Sequence, residues 1–471
     1  MKPSLRTALF LLSLLMALPV FPAAPDKLPV SYQFQTGTLG TVVVYAPAGP
    51  PTSIALLLSG EEGWNQSMAE LAQQLQSWGA FVGGVDSRAY LATLGAAGHD
   101  CAYPAADFEQ LSHALQKWAG LPAYRAPILI GYGSGATLAY ALAAQAPAGT
   151  FAAAVSLGFC PELPVGRPWC KGAGLSATPT ANHAGVTVHP TPELKIPWVV
   201  LQGERDQLCS AGATRAFIAD IPSAKLVPLP KVGHDYAVRD DWLPQFRDAF
   251  LKLVTASTER PVSSAEVRDL PLVEVRAISG HSSRMAILLT GDGGWAGLDR
   301  EVSGGLSAAG IDVVALSTLR YFWTERKPEI AARDLERIMR HYLATWHKDQ
   351  VLLIGYSFGA NVLPFLVNRL APDMRSRVAT LSLLAPALET GFEIHVADWI
   401  PGSTSHGRPL KPELDRLGDI RILCLYGDGA LASPCPGLPA MAGKAVQLPG
   451  DHHFNDDYAT LVREILAFAG R

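Results

Sequence analysis

Short, unbroken apolar runs recur along the chain, each followed by glycine or polar residues. They include ALLL from Ala55, PILI from Pro127, WVVL from Trp198 and VLLI from Val351. None alternates apolar with polar positions, so each reads as a strand covered on both faces rather than one with a wet side. Such strands belong to a parallel sheet with helices packed on both of its faces.

The runs come in two matching sets. IALLLSGEEGW from Ile54 matches AILLTGDGGW from Ala286, with Gly60, Gly63 and Trp64 opposite Gly291, Gly294 and Trp295. FVGGVDSRAYL from Phe81 matches DVVALSTLRYF from Asp312, and PILIGYGSGATLAYAL matches VLLIGYSFGANVLPFL. WVVLQGERD from Trp198 matches ILCLYGDGA from Ile422, and LPKVGHDY from Leu229 matches LPGDHHFNDDY from Leu448. A repeat of this kind is a duplicated unit. Each half predicts strand, Gly-rich loop, helix, strand, helix, strand, sharp turn and helix, then two strand-plus-loop units. The polar, Pro- and Ser-containing stretch 255–271 reads as the linker. The expected architecture is two tandem α/β domains, residues 25–254 and 272–471, with mostly parallel sheets.

The first 24 residues change the compartment. Lys2 and Arg6 precede an apolar run from Ala8 to Val20, and Ala23 and Ala24 offer small residues for cleavage. This is the pattern of a secretory signal peptide, and the run is shorter than the roughly 20 residues that span a bilayer. The protein is expected to be exported to the periplasm. The six cysteines then read as disulfides. Nearness in sequence pairs Cys160 with Cys170 and Cys424 with Cys435, leaving Cys101 with Cys209. With no CxxC or clustered His/Cys pattern, no metal or other cofactor is expected. The chain of 471 residues is 49% hydrophobic and 17% charged, with a net charge of -4. It carries no long basic run, so nucleic acid is not an expected partner.

Candidate chemistry sits in the second half. Gly355-Tyr356-Ser357-Phe358-Gly359 is a G-x-S-x-G elbow between a strand and a helix, which exposes the serine Oγ at the carboxyl edge of the sheet. The alignment places Gly133, not Ser134, opposite Ser357, so the first half is expected to lack a nucleophile. A serine needs a base and an orienting acid, in the chain order Ser, Asp/Glu, His. His453 is the expected base because it aligns with His234, with His452 as the alternative. Asp428 is the expected acid, as the carboxylate of its loop. The first half keeps Glu204, Asp206 and His234. The oxyanion donors would be the N–H of Phe358 and that of Asp292 or Gly293. Arg320, which can bind phosphate or carboxylate, and the aromatic residues Tyr321 and Trp295 are the candidates for substrate binding.

Together SGEEGW, TGDGGW, LRYFW, GYSFGAN and LPGDHHF-x-x-DY resemble the AcvB/VirJ family of bacterial virulence proteins, in its two-domain form. The resemblance implies periplasmic α/β-hydrolase domains and hydrolysis of lysyl- or alanyl-phosphatidylglycerol at the membrane surface. It carries the elbow serine over to Ser357 and the C-terminal histidine to His453. Two other readings stay open: an esterase for a different lipid or small ester, and a non-catalytic periplasmic factor serving a secretion apparatus.

Overall fold

The computed structural model describes residues 32–37, 39–96, 101–258, 264–280, 282–295, 297–395, 407–429, 432–438 and 443–470; the expected signal peptide lies outside them. The first half contributes strands β1 (Tyr32–Thr36), β2 (Gly40–Tyr45), β3 (Ser53–Leu58), β4 (Ala80–Val85), β5 (Ile128–Tyr132), β6 (Ala153–Leu157), β7 (Glu162–Leu163), β8 (Ser176–Pro179), β9 (Val186–His189), β10 (Trp198–Gly203) and β11 (Ala224–Leu229). Its helices are α1 (Gln66–Ser77), α2 (Ser87–Ala96), α3 (Pro104–Trp118), α4 (Ser134–Gln145), α5 (Ala211–Ile218) and α6 (Leu243–Thr258). The main sheet runs β1-β2-β4-β3-β5-β6-β10-β11, while β7-β9-β8 forms a small sheet beside it. Only β1 and β2 break the parallel pairing of the main sheet.

The second half repeats the plan with β12 (Leu272–Val275), β13 (Arg284–Leu289), β14 (Asp312–Leu316), β15 (Gln350–Tyr356), β16 (Val378–Leu384), β17 (Glu389–Thr390), β18 (Arg408–Pro409), β19 (Ile422–Gly427) and β20 (Gly443–Leu448). Its helices are α7 (Gly297–Ala308), α8 (Thr318–Tyr321), α9 (Pro328–Thr345), α10 (Phe358–Val367), α11 (Pro372–Arg375), α12 (Lys411–Leu414) and α13 (Tyr458–Ala469). The main sheet order is β12-β14-β13-β15-β16-β19-β20, parallel except at β12. Both halves therefore have the α/β-hydrolase topology. In each, the chain crosses to opposite sides of one strand, β3 or β13, so the loops after it and after β5 or β15 flank a crevice at the carboxyl edge.

The apolar runs are buried as their pattern requires: every residue of β3, β4, β10 and β14 is buried. The helices that cover them are one-sided. In α9, Ala331, Ala332, Leu335, Ile338, Met339 and Tyr342 form the buried stripe at three- and four-residue spacing, and Pro328 opens the helix where no donor is lost. Among the described residues no helix is long and apolar enough to cross a membrane.

Two expectations change. The linker starts later, because α6 continues to Thr258. The disulfides are Cys101–Cys170, Cys160–Cys209 and Cys424–Cys435, so only the last of the three expected pairs is present. Sheet neighbours decide the others. Cys160 follows β6 and Cys209 follows β10, and these two strands are paired side by side. Cys101 and Cys170 are joined where Ala102 bridges Trp169.

The halves are packed together. Tyr124 of the first half is only 4% exposed because it is embedded in the core of the second, its ring 5.2 Å from that of Trp323. The Trp323 indole N–H donates to Leu121 O at 2.8 Å.

Candidate active site

The strand–turn–helix around Ser357 is built by glycine clearance. A Cβ on Gly359 would lie 2.2 Å from Leu289 O, and one on Gly355 would lie 2.6 Å from Ala360 N, so neither position accepts a side chain. Ser357 itself adopts φ 51° and ψ -116° at the N-cap of α10. Its amide donates to Leu384 O at 2.9 Å, which pins the turn to the neighbouring strand β16.

His452, rather than the expected His453, faces the serine: its Nε2 is 2.9 Å from Ser357 Oγ. His453 turns to the Tyr356 hydroxyl, 3.0 Å from its Nδ1. The reason is a one-residue difference between the loops of the two halves. Arg205 donates to Val232 O, and Gly429 donates to Gly450 O. These bonds equate Val232 with Gly450, and so His234 with His452. Counting from the shared Leu-Pro pair gives His453 because Lys231 is an extra residue in the first half.

The same bonds revise the acid. Glu204 and Asp428 make equivalent backbone contacts, to Leu229 O and Leu448 O. The position matching Asp206 is therefore Ala430, which has no carboxylate and lies outside the described residues. Asp428 accepts from the Gly450 amide at 2.8 Å and thereby holds the histidine loop. Among the described residues no carboxylate is hydrogen-bonded to His452. Packing around the imidazole holds the His452 pKa below its ordinary value, and His453 pushes the same way. The Asp292 and Asp451 carboxylates pull against both and favour the charged ring. The net downward shift favours the neutral imidazole, the state that accepts a proton.

The oxyanion candidates lie beside Ser357. Phe358 is the first residue of α10, so its amide is one of the donors without an intrahelical acceptor. Asp292 and Gly293 are the central residues of a turn closed by Gly294 N–H to Gly291 O at 3.0 Å. A Cβ on Gly291 would be 3.6 Å from Ser357 Cβ, which places this turn against the elbow. Of the substrate-binding candidates, Arg320 is exposed and Trp295 half-buried. Tyr321 is not available to a substrate: it is 3% exposed and its hydroxyl donates to Asp334 at 2.6 Å.

Residues 283–470 match the family of the bacterial virulence protein VirJ. The second half of the chain is thus VirJ-like in sequence. No curated protein matches the sequence significantly. Similar solved structures include the esterase domain of a Rhodothermus marinus protein, at 14% identity and TM-score 0.32, covering 47% of this chain and 97% of that one. A lidless α/β serine hydrolase from Xanthomonas campestris shows 18% identity and TM-score 0.33, covering 50% of this chain and 97% of its own.

The other half has Gly133 where the VirJ-like half has Ser357, but it keeps a histidine–carboxylate pair. Gly133 holds φ 54° and ψ -123°, the same conformation as Ser357, and Ser134 is buried as the first residue of α4. His234 Nδ1 is 3.0 Å from Asp206 Oδ2, and the other Asp206 oxygen accepts from the amides of Leu208 and Cys209. Asp206, Cys209 and His234 offer ligand-type atoms within 4.8 Å of one another. The Cys209 sulfur is already bonded to Cys160, so it is not a thiolate ligand. Sequence comparison missed Glu61, whose Oε2 lies 2.4 Å from where a Cβ on Gly133 would be. Its signal is its alignment with Asp292 in the Gly-rich loop. Gly133→Ser alone makes the flexible Glu61 side chain shift, with its carboxylate left beside the new hydroxyl. Combined with Glu61→Gly in a Ser357→Ala background, it is expected to become labelled by a fluorophosphonate. A folded triple variant that takes no label would show that the Asp206–His234 pair cannot serve a serine there.

Proposed function

We propose that this protein is a periplasmic serine hydrolase that cleaves the aminoacyl ester of lysyl- or alanyl-phosphatidylglycerol. The reading is carried by the contact between His452 Nε2 and Ser357 Oγ on an intact elbow. The resemblance to the AcvB/VirJ family implies the substrate class, and the match of residues 283–470 to VirJ supports that resemblance. The disulfides suit an oxidising compartment.

In the proposed reaction Ser357 Oγ attacks the aminoacyl carbonyl carbon while its proton passes to His452 Nε2. The resulting oxyanion is held by the Phe358 amide and by an amide of the Asp292–Gly293 turn. Collapse breaks the bond to the glycerol oxygen, which takes the proton from His452 and leaves as phosphatidylglycerol. Water then attacks the acyl-enzyme and gives its proton to His452. The amino acid departs and the proton returns to Ser357. An aminoacyl ester suits this chemistry, because its protonated amino group withdraws electrons from the carbonyl.

The test is amino-acid release from vesicles containing lysyl- or alanyl-phosphatidylglycerol, beside turnover of p-nitrophenyl butyrate. Release from the vesicles is the expected result. A protein that cleaves the butyrate ester but leaves both lipids intact acts on another ester. A folded protein that cleaves nothing and takes no fluorophosphonate label is a binding factor.

A further inference from the structure

Two contacts of the first half reach the elements that carry the candidate oxyanion donors. The first is made by Lys117, near the end of α3. Its ammonium donates to Trp323 O and pairs with Glu393 at 2.9 Å. It also stands 4.7 Å from the Trp323 ring centroid. Trp323 is 1% exposed: its indole N–H donates to Leu121 O at 2.8 Å, and the Tyr124 and His113 rings lie 5.2 and 6.4 Å from its own. Trp323 and Glu393 each adjoin a phenylalanine that packs on α10. The Phe322 ring meets that of Phe358 at 5.2 Å, and the Phe392 ring meets that of Phe365 at 5.3 Å. The two phenylalanine segments are also joined to each other, by Ile394 N–H to Phe322 O at 2.8 Å and Arg326 N–H to Phe392 O at 2.9 Å. One ammonium of the first half thus clamps both segments that rest on α10, the helix that begins with the Phe358 donor.

The second contact reaches the other donor. Trp295 follows the Asp292–Gly293 turn, and the Arg300 guanidinium of α7 lies over its ring at 5.5 Å. Arg300 donates to Ala148 O at 2.9 Å, and a Cβ on Gly149 would be 3.1 Å from Trp295 O. The loops carrying Trp323 and Trp295 follow β14 and β13, which are consecutive with β15 in the sheet. The first half therefore grips the neighbours of both donors. Among the described residues none of its groups is hydrogen-bonded to Ser357 or His452. Oxyanion donors act by being fixed before the charge develops, so a small displacement of either lowers the rate of the chemical step more than it weakens substrate binding.

We propose that the first half of the chain is a built-in positioning element for the oxyanion hole at Ser357, with Lys117 holding the Phe358 side and the Ala148–Gly149 turn, through Arg300, holding the Asp292–Gly293 side. The inference rests on the proposed ester hydrolysis at Ser357. It gives a use to a half with glycine at its own elbow: its surface, rather than its crevice, serves the reaction. Lys117 and Arg300 are positioning residues, since each acts through aromatic side chains that stand between it and the donors.

The experiment uses the full chain, p-nitrophenyl butyrate for kcat and KM, and phenylboronic acid, whose adduct with a serine is a tetrahedral anion that occupies the oxyanion hole. Lys117→Met keeps the aliphatic stem and removes the charge and the donors. Arg300→Leu removes the bond to Ala148. Each is expected to lower kcat about tenfold, a part of the roughly 10²- to 10³-fold that loss of a whole donor costs. KM and the acid limb of the pH profile are expected to stay in place, while phenylboronic acid binding weakens by the same factor as kcat. The double variant is expected to lose the product of the two factors, because they act on different donors. Lys117→Arg, which keeps the charge and the donors, is expected to recover most of the rate. Melting temperatures report that each variant is folded at the assay temperature. Where Lys117→Met does not fold, Trp323→Phe, which loses the N–H to Leu121 O and keeps an aromatic ring, is read in the same way. Folded variants with the wild-type kcat, or losses of kcat with no matching loss of boronate affinity, would overturn the inference and leave the hydrolysis at Ser357 standing. Wild type that turns over no ester and takes no fluorophosphonate label would overturn that hydrolysis, and the inference with it.

Discussion

Ser357→Ala loses roughly 10⁶-fold in kcat on every ester the protein hydrolyses. The expectation follows from the turn itself. The hydroxyl is the group in the described site that both occupies the elbow and contacts a base. Alanine tolerates the same positive φ no worse than serine does, so the backbone and the oxyanion donors stay in place. Fluorophosphonate labelling disappears, while the melting temperature moves little. Persistence of activity in this variant would move the chemistry elsewhere in the chain.

His452→Ala is the second large effect, again about 10⁵- to 10⁶-fold, because a serine without its base is as inert as no serine at all. The double variant with Ser357→Ala is no worse than either single one. His453→Ala, in contrast, keeps activity to within about tenfold, because that ring serves Tyr356 rather than the serine. The pH profile separates the two further. The base works when neutral, so activity rises with pH through the His452 pKa and is lost below it. That pKa is held down, so the acid limb of kcat/KM falls below the ordinary histidine value of about 6.5. Removing His453 removes one of the influences that lower it, and the limb moves up. Equal losses from His452→Ala and His453→Ala would reject the assignment.

Much of this molecule is legible in one dimension. Continuous apolar runs mark strands buried on both faces, and their duplication predicts a second sheet of the same order. The elbow glycines of the second half mark where a helix closes on a strand. Nearness along the chain does not fix disulfide partners: Cys160 and Cys209 meet because β6 and β10 are neighbours. Adjacent histidines cannot be told apart by counting when one loop holds an extra residue, here Lys231. The contact of Tyr124 with the core around Trp323 has no local signal at all, since an aromatic residue buried by its own half would read the same. Tyr321 failed for the opposite reason: a loop aromatic looks available until its hydroxyl is seen on Asp334. Asp428 is the one carboxylate of its loop, but it accepts from the Gly450 amide and holds the histidine loop instead.

The two elbows also bear on what a strained turn means. Gly133 and Ser357 share one unusual backbone conformation, although only the second carries a hydroxyl. The conformation is thus a property of the strand-to-helix junction and its close contacts, inherited whether or not chemistry follows. In duplicated proteins of this architecture, a positive φ at the elbow marks ancestry, while the atom it displays and the room around that atom decide whether the turn can react.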